Sequence, residues 1–370
     1  MIPGKLIWKV GFLLSGFFRQ NSQHNLFLFI SGDTKIDRSL ISLAQLFTKR
    51  KPIFILAGTS ISSLQISNSA ISQFHFNAKR AFAQAFYSGV ISKWIESSND
   101  TVIVGANDSF FNSITLTVRK DIQKIIITNG DNWKNIGSKV LHKTDVIICD
   151  SEYQKHSASK SLVTNAENDP FSGVISAIHY YFELGTAPVH NPNTPPEVLF
   201  VYNGKESRQV RIMAETAKRA LQGNLNVQFT FVGNVEEIIN ADELPNCNFY
   251  GTIQDYNTIR DILSQSDILI ILEEDENVPP YLAEAMSLGK PVISQSSGTL
   301  TDFIEDGVNG FLIPKDTETR KMAEDIFIAL ATITSDSSTL QKMSEASAAK
   351  AGILFSKSTF INKWKKVIKI

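Results

Sequence analysis

Five short, continuously apolar runs, "NLFLFI", "PIFILA", "TVIVGA", "KIIITN" and "DVIICD", recur through the first half of the chain, separated by segments long enough to hold helices. A strand with one wet face alternates apolar and polar residues; these runs do not alternate, so both of their faces must be covered. Covered strands separated by helices build β-α-β units and a doubly wound parallel sheet. The rhythm breaks at "GTAPVHNPNTPPE", residues 185–197, whose four prolines can continue neither a helix nor a central strand. It then restarts with "VLFVYNG", "VQFTFVG", "NFYGTI", "DILIIL" and "PVISQ". The expected fold class is therefore α/β, with one Rossmann-like domain over residues 1–190 and a second over 191–352. A length of 370 residues fits this division, being more than one hydrophobic core usually organises.

Charge and cysteine usage narrow the function. A formal net charge of −1 argues against wholesale nucleic-acid binding, which needs a clustered basic surface. Cys149 and Cys247 are the only cysteines and form no CxxC, and the six histidines show no metal-ligand spacing. No metal and no cofactor are expected, and the location is expected to be cytoplasmic. Residues 1–20 are an apolar extension in which Lys5, Lys9, Gly16 and Arg19 share one helical strip with Phe12. The run falls short of the ~20 residues that cross a bilayer. Two readings stand for it: a helix packed on its domain, or an in-plane contact on the inner face of a membrane.

Ligands of doubly wound domains bind at the carboxyl ends of the strands, so the loop after "DILIIL" carries the most information. It reads "EDENVPPYLAEAMSLGKPVIS", from Glu274 to Ser294. Pro279 and Pro280 suit only a helix start, and Gly289 with Pro291 ends that helix before the next strand. Glu284 is then helical, whereas Glu276 belongs to the preceding loop. The helix start, with its backbone N–H groups and positive dipole end, suits a phosphate group.

The stretch from Leu244 to Ile313, including "EAMSLGKPVIS" and "EDGVNGFLI", resembles the nucleotide-sugar domain of retaining glycosyltransferases of family 4, which have the GT-B fold. "FSKSTFINKWKKVI" continues the likeness weakly at the C-terminus, and "DTKIDRSLISLAQLFTKRKPIFIL" and "KTDVIICDSEYQKHS" do so in the first domain. The resemblance implies two Rossmann-like domains facing across a cleft, with residues 353–370 forming a helix that crosses back to the first. In that helix Trp364, Val367 and Ile368 would pack while Lys363, Lys366 and Lys369 stay exposed. It further implies that Glu276, the first glutamate of the family's Glu, seven residues, Glu motif, faces the donor sugar, and that Glu284 holds the ribose hydroxyls of the nucleotide. Asn277, Val278 and Pro279 lead into the same helix start and join the substrate-binding set.

The family supplies an Arg and a Lys after the first strand of this domain to meet the diphosphate. Here "VYNGKESRQVR" offers Gly204 for close backbone approach, with Lys205 and Arg208 as the cations and Arg211 competing for the second place. Thr252 and Ile253, after "NFYG", are expected at the base. Where the family often has a histidine in the first domain, "IIITNGDNW" offers Asn129 or Asp131 to sugar or acceptor, or a plain turn. No Asp-x-Asp occurs in the chain, so basic side chains and a helix dipole, rather than a divalent metal, are expected to meet the leaving diphosphate. The expected function is a retaining, hexosyltransferase-type enzyme of cell-surface polysaccharide synthesis. It would move a sugar from a nucleoside diphosphate sugar to a glycan or lipid-linked glycan acceptor, with possible peripheral membrane contact. A non-catalytic GT-B nucleotide-sugar-binding protein and a nucleotide-sugar epimerase are the alternatives.

Overall fold

The computed structural model describes residues 26–30, 34–50, 52–57, 72–76, 81–97, 100–164, 171–180, 194–202, 204, 207–253, 255–272, 278–296, 298–315 and 318–368. These fall into two compact units, one running to the end of the first sheet and rejoined by the last helix, the other occupying the chain between. The apolar extension 1–20 and most of the proline-rich segment 185–197 lie outside the described residues. Among the described residues no helix is long and apolar enough to cross a membrane.

The first unit is a seven-stranded parallel sheet: β1 (Leu26–Ile30), β2 (Pro52–Ala57), β3 (Ser72–Phe76), β4 (Val102–Ala106), β5 (Gln123–Ile127), β6 (Val146–Cys149) and β7 (Val174–Ala177), in the order 3-2-1-4-5-6-7. Its helices are α1 (Thr34–Leu46), α2 (Ala81–Glu96), α3 (Ser109–Thr117), the short α4 (Ser138–Leu141) and α5 (Glu152–Ser159). The pleat of β1 shows why its run is apolar throughout: Phe27 and Phe29 enter one core, Leu26, Leu28 and Ile30 the other. The second unit orders β8 (Glu197–Val201), β9 (Gln228–Val232), β10 (Cys247–Phe249), β11 (Ile268–Ile271), β12 (Val292–Gln295) and β13 (Gly310–Ile313) as 10-9-8-11-12-13, again all parallel. Around it run α6 (Ser207–Gln222), α7 (Tyr256–Gln265), α8 (Pro280–Ser287), α9 (Thr319–Ile333) and α10 (Ser337–Leu354). Strand order reverses beside β1 in one sheet and beside β8 in the other, and such switch points are where doubly wound sheets bind ligands.

The last helix, α11 (Lys357–Val367), packs in the first unit, with Phe360, Trp364, Val367 and Ile368 in the same core as Leu26 and Leu28. The Gln123 amide donates to the Val367 carbonyl at 2.7 Å and fixes the end of the helix. One expectation needs correction here. Lys363 is not an exposed charge: its Nζ donates to the Ala177 carbonyl at 2.9 Å beside Glu152 at 3.9 Å, because α11 lies over the end of β7. Lys366 is exposed, and Lys369 lies outside the described residues.

Candidate functional site

The chain leaves β8 at Tyr202, whose N–H bonds the Val232 carbonyl at 2.8 Å, and turns at Gly204 with φ +83°. No heavy atom lies within 4 Å of where a Cβ would stand on Gly204, so the left-handed backbone and not crowding calls for glycine there. Arg208 follows in the first turn of α6, half-buried, and its Nη2 reaches the Met322 sulfur of α9 at 3.2 Å. The Gln295 amide, at the end of β12, approaches the same sulfur at 4.0 Å. That places the Arg208 guanidinium by the carboxyl end of β12, whereas Arg211, its competitor, lies exposed on α6. Lys205 lies outside the described residues. The tips of β9 and β10 are joined by Gly233 N–H donating to the Gly251 carbonyl at 2.6 Å; Thr252, exposed, and Ile253, half-buried, come directly after.

Beyond β11, Glu276 and Asn277 lie outside the described residues, and Val278 and Pro279 are buried. α8 begins at Pro280, with Pro279 in the capping position, φ −59° and ψ 137°. Proline has no side-chain acceptor, so this helix opens without the cap that Ser, Thr, Asp or Asn would provide. Leu282, Ala283, Ala285 and Met286 are all fully buried, and Glu284 alone of this stretch keeps partial exposure. Its side chain, 13% exposed, forms an ion pair with Arg260 of α7. A carboxylate on a buried, short helix, held by a guanidinium, has little freedom to turn away.

Sequence reasoning missed two residues that set this geometry. Arg260 shows no periodic signal, since its partner lies on another helix. Lys290, in "GKPVIS", is 2% exposed; its Nζ donates to the carbonyls of Ser264 at 3.1 Å and of Ser266, closing the C-terminal end of α7. Burial pulls its pKa down to about 8, with Asp267 opposing. The lysine thereby ties α7, which carries Arg260, to the turn that ends α8, which carries Glu284. "EDGVNGFLI" is likewise architectural. The buried Asn309 accepts from Glu305 N–H at 2.7 Å and donates to the Phe303 carbonyl at 3.0 Å, while a Cβ on Gly310 would stand 1.9 Å from the Val292 carbonyl oxygen. The turn holds β13 against β12 and brings no side chain to the strand ends.

In the first unit Asn129 follows β5 and opens a 3-10 turn, Gly130–Asn135, its own Oδ1 accepting from the Asn132 amide. Gly130 N–H donates to Asp150 Oδ2 at 3.2 Å, Asp131 pairs with Lys134, and the buried Trp133 indole donates to Gln154 at 2.9 Å. His179, after β7, donates through Nδ1 to the Asp150 carbonyl at 2.6 Å. Burial, with the Lys363 ammonium adding to it, lowers its pKa to about 4. Asn129 is thus part of an internally bonded turn at the strand ends of this unit. Gly204, Arg208, Thr252, Ile253, Val278, Pro279 and Glu284 all follow strands β8, β10 and β11 of the other. Among the described residues no cluster of three or more His, Cys, Asp or Glu could hold a metal ion.

Residues 195–332, which contain β8, the β11–α8 connection and Glu284, match the family model described as Glycosyl transferases group 1. The solved structures similar to this chain are GT-B glycosyltransferases, and the fold is GT-B. A glycosyltransferase from Rickettsia africae is 15% identical with TM-score 0.68, 94% of this chain covering 98% of that one. HepE of Anabaena, in complex with UDP, is 15% identical with TM-score 0.68, over 92% of this chain and 98% of its own. The pneumococcal O-GlcNAc transferase GtfA, in complex with UDP and GlcNAc, is 16% identical with TM-score 0.61 over 79% of this chain, which spans only 60% of GtfA. No curated protein sequence matches the chain.

Proposed function

We propose that this protein is a retaining glycosyltransferase of family 4 that moves a hexose-type sugar from a nucleoside diphosphate sugar to a glycan or lipid-linked glycan acceptor in cell-surface polysaccharide synthesis. The observation that carries the reading is Glu284. Within the segment that matches the family, it is a partly exposed carboxylate on an otherwise buried helix just past a central strand, oriented by Arg260. An ionised carboxylate is an acceptor only, so two vicinal ribose hydroxyls are fitting donors to it. UDP is the favoured nucleotide, because HepE and GtfA were each solved with it.

In this mechanism the start of α8, Lys205 and Arg208 stabilise the negative charge that develops on the departing diphosphate. Thr252 and Ile253 line the base, Glu276 positions the donor sugar, and the acceptor hydroxyl attacks from the face the diphosphate leaves. The departing phosphate oxygen takes the acceptor proton, so the anomeric configuration is kept without a covalent sugar-enzyme intermediate. The absence of Asp-x-Asp supports a reaction that needs no divalent metal. A cytoplasmic enzyme meeting its acceptor peripherally at the membrane fits the apolar residues 1–20 and the lysines of α11. Incubation with UDP-glucose or UDP-GlcNAc, with and without a lipid-linked glycan acceptor, tests the reading. A glycosylated product formed only with acceptor supports it; a changed nucleotide sugar formed without acceptor makes the protein an epimerase, and donor binding with neither product makes it a binding protein.

A further inference from the structure

A cavity of about 560 Å³ opens in the first unit at the amino-terminal ends of β5, β6 and β7, the edge opposite the one that carries Asn129 and Asp150. Its size is that of a small-molecule site. Lys120, His142, Lys143 and Lys366 line it, Lys124 lies in its floor, and Asp145 is the one carboxylate among its lining residues. That carboxylate is engaged already, since Asp145 Oδ2 accepts the backbone N–H of Lys124 at 2.8 Å. Lys124 is 2% exposed, and its ammonium donates to the carbonyls of Arg119 at 2.8 Å and Ile122 at 2.6 Å, which adds positive charge from beneath. Lys120 and Lys366 are exposed, and Lys143 is half-buried and donates to the Leu116 carbonyl at 2.7 Å.

Gathering lysines around one concavity raises the potential there, a cost that a bound anion removes. The backbone that carries Lys366 is fixed in place. Gln123, a lining residue, bonds the Val367 carbonyl, so the end of α11 is fastened to the sheet and Lys366 with it. Lysines around one concavity, with no planar guanidinium fork among the lining residues, offer point charges, which suit a phosphate. We propose that this cavity binds a phosphate-bearing ligand, a phosphate or diphosphate ester, at a site separate from the strand-end edges of both units. The group is carried either by a free phosphorylated molecule or by an anionic lipid headgroup.

The test uses the full chain and the variant K120Q/K143Q/K366Q, which changes none of the residues assigned to donor binding. Inorganic pyrophosphate is titrated calorimetrically in excess UDP, so that a diphosphate site at α8 is blocked; in parallel, the protein is sedimented with vesicles of phosphatidylcholine with or without phosphatidic acid. Saturable pyrophosphate binding that weakens roughly tenfold or more in the variant identifies a free phosphorylated ligand. Sedimentation only with phosphatidic acid, lost in the variant, identifies a headgroup. Should the triple variant lose its native tryptophan fluorescence, K120Q, K143Q and K366Q singly are each expected to weaken binding roughly threefold. Absence of both kinds of binding, or binding equal in wild type and variants, overturns the proposal. Failure of the wild type to bind UDP, with pyrophosphate binding that weakens in the variant, would instead strike the proposed function and leave this site standing.

Discussion

The fourth strand of each sheet leads towards a helix, but the two helices start differently. After β4, Asp108 caps α3 with one carboxylate oxygen, accepting from Phe110 N–H at 2.9 Å and Phe111 N–H at 2.8 Å. After β11, α8 starts at two prolines, and the capping residue brings no acceptor. One helix end is completed by its own chain. The other takes no side-chain acceptor from its own capping residue, and the same helix carries Glu284. The comparison extends to the neighbouring polar groups: Asn129, Asp131, Asp150 and His179 are bonded among themselves and their turns, whereas Glu284 pairs with a long side chain that reaches it from another helix, Arg260 of α7. The first unit spends its polar groups on its own turns; the second keeps charge at its strand ends.

The comparison breaks most directly at Glu276. Glu276→Ala is expected to lower kcat by roughly 100-fold or more with little change in nucleotide affinity, as steady-state kinetics and nucleotide titration would read; full turnover at saturating donor would remove its positioning role. Acid separates the units next. His179 has its folded pKa held at about 4 against the ordinary 6.5, so the unfolded chain binds the extra proton first. Stability from this group is present above pH 6.5 and is lost as pH falls towards 4, by about 3 kcal/mol. The second unit contains no tryptophan, and the described ones, Trp94, Trp133 and Trp364, are buried in the first, so tryptophan fluorescence in urea follows the first. His179→Gln should flatten that pH dependence. An unchanged acid slope would mean that His179 is not the group responsible.

Asp108→Ala should cost the first unit about 1 kcal/mol by the same fluorescence and leave nucleotide binding untouched. A change in nucleotide affinity would show that the self-capped start is not the bystander described here. The smallest expected effect is none: transfer activity should survive excess EDTA, because the proposed mechanism assigns the diphosphate charge to Lys205, Arg208 and the start of α8 rather than to a metal. Activity abolished by chelation and restored by magnesium or manganese would contradict that.

Much of this architecture could be read from the chain because buried parallel strands must be apolar on both faces, which makes runs such as "DILIIL" conspicuous. Three strands escaped for physical reasons. β3, "SQFHF", interleaves polar residues at the sheet edge; β7 is an opposite-edge strand with Val174 57% exposed; and β13 is only four residues long, opened by a glycine. The bounds of α8 were legible because proline and glycine act on their own backbone. Arg260, Lys290 and Lys363 were not, because each acts by reaching across to another element, and no local pattern records where a long side chain ends.

The central claim is that Glu284, oriented by Arg260 on the helix that starts at Pro280, receives the nucleotide of a sugar donor. The direct measurement is thermal stabilisation by UDP-, GDP- and dTDP-sugars of the wild type and of Glu284→Ala. One donor at 100 times its dissociation constant should stabilise the wild type by about 2.7 kcal/mol, and Glu284→Ala should lose roughly tenfold or more in affinity for it. Stabilisation by no donor, or stabilisation equal in the two proteins, would contradict the account.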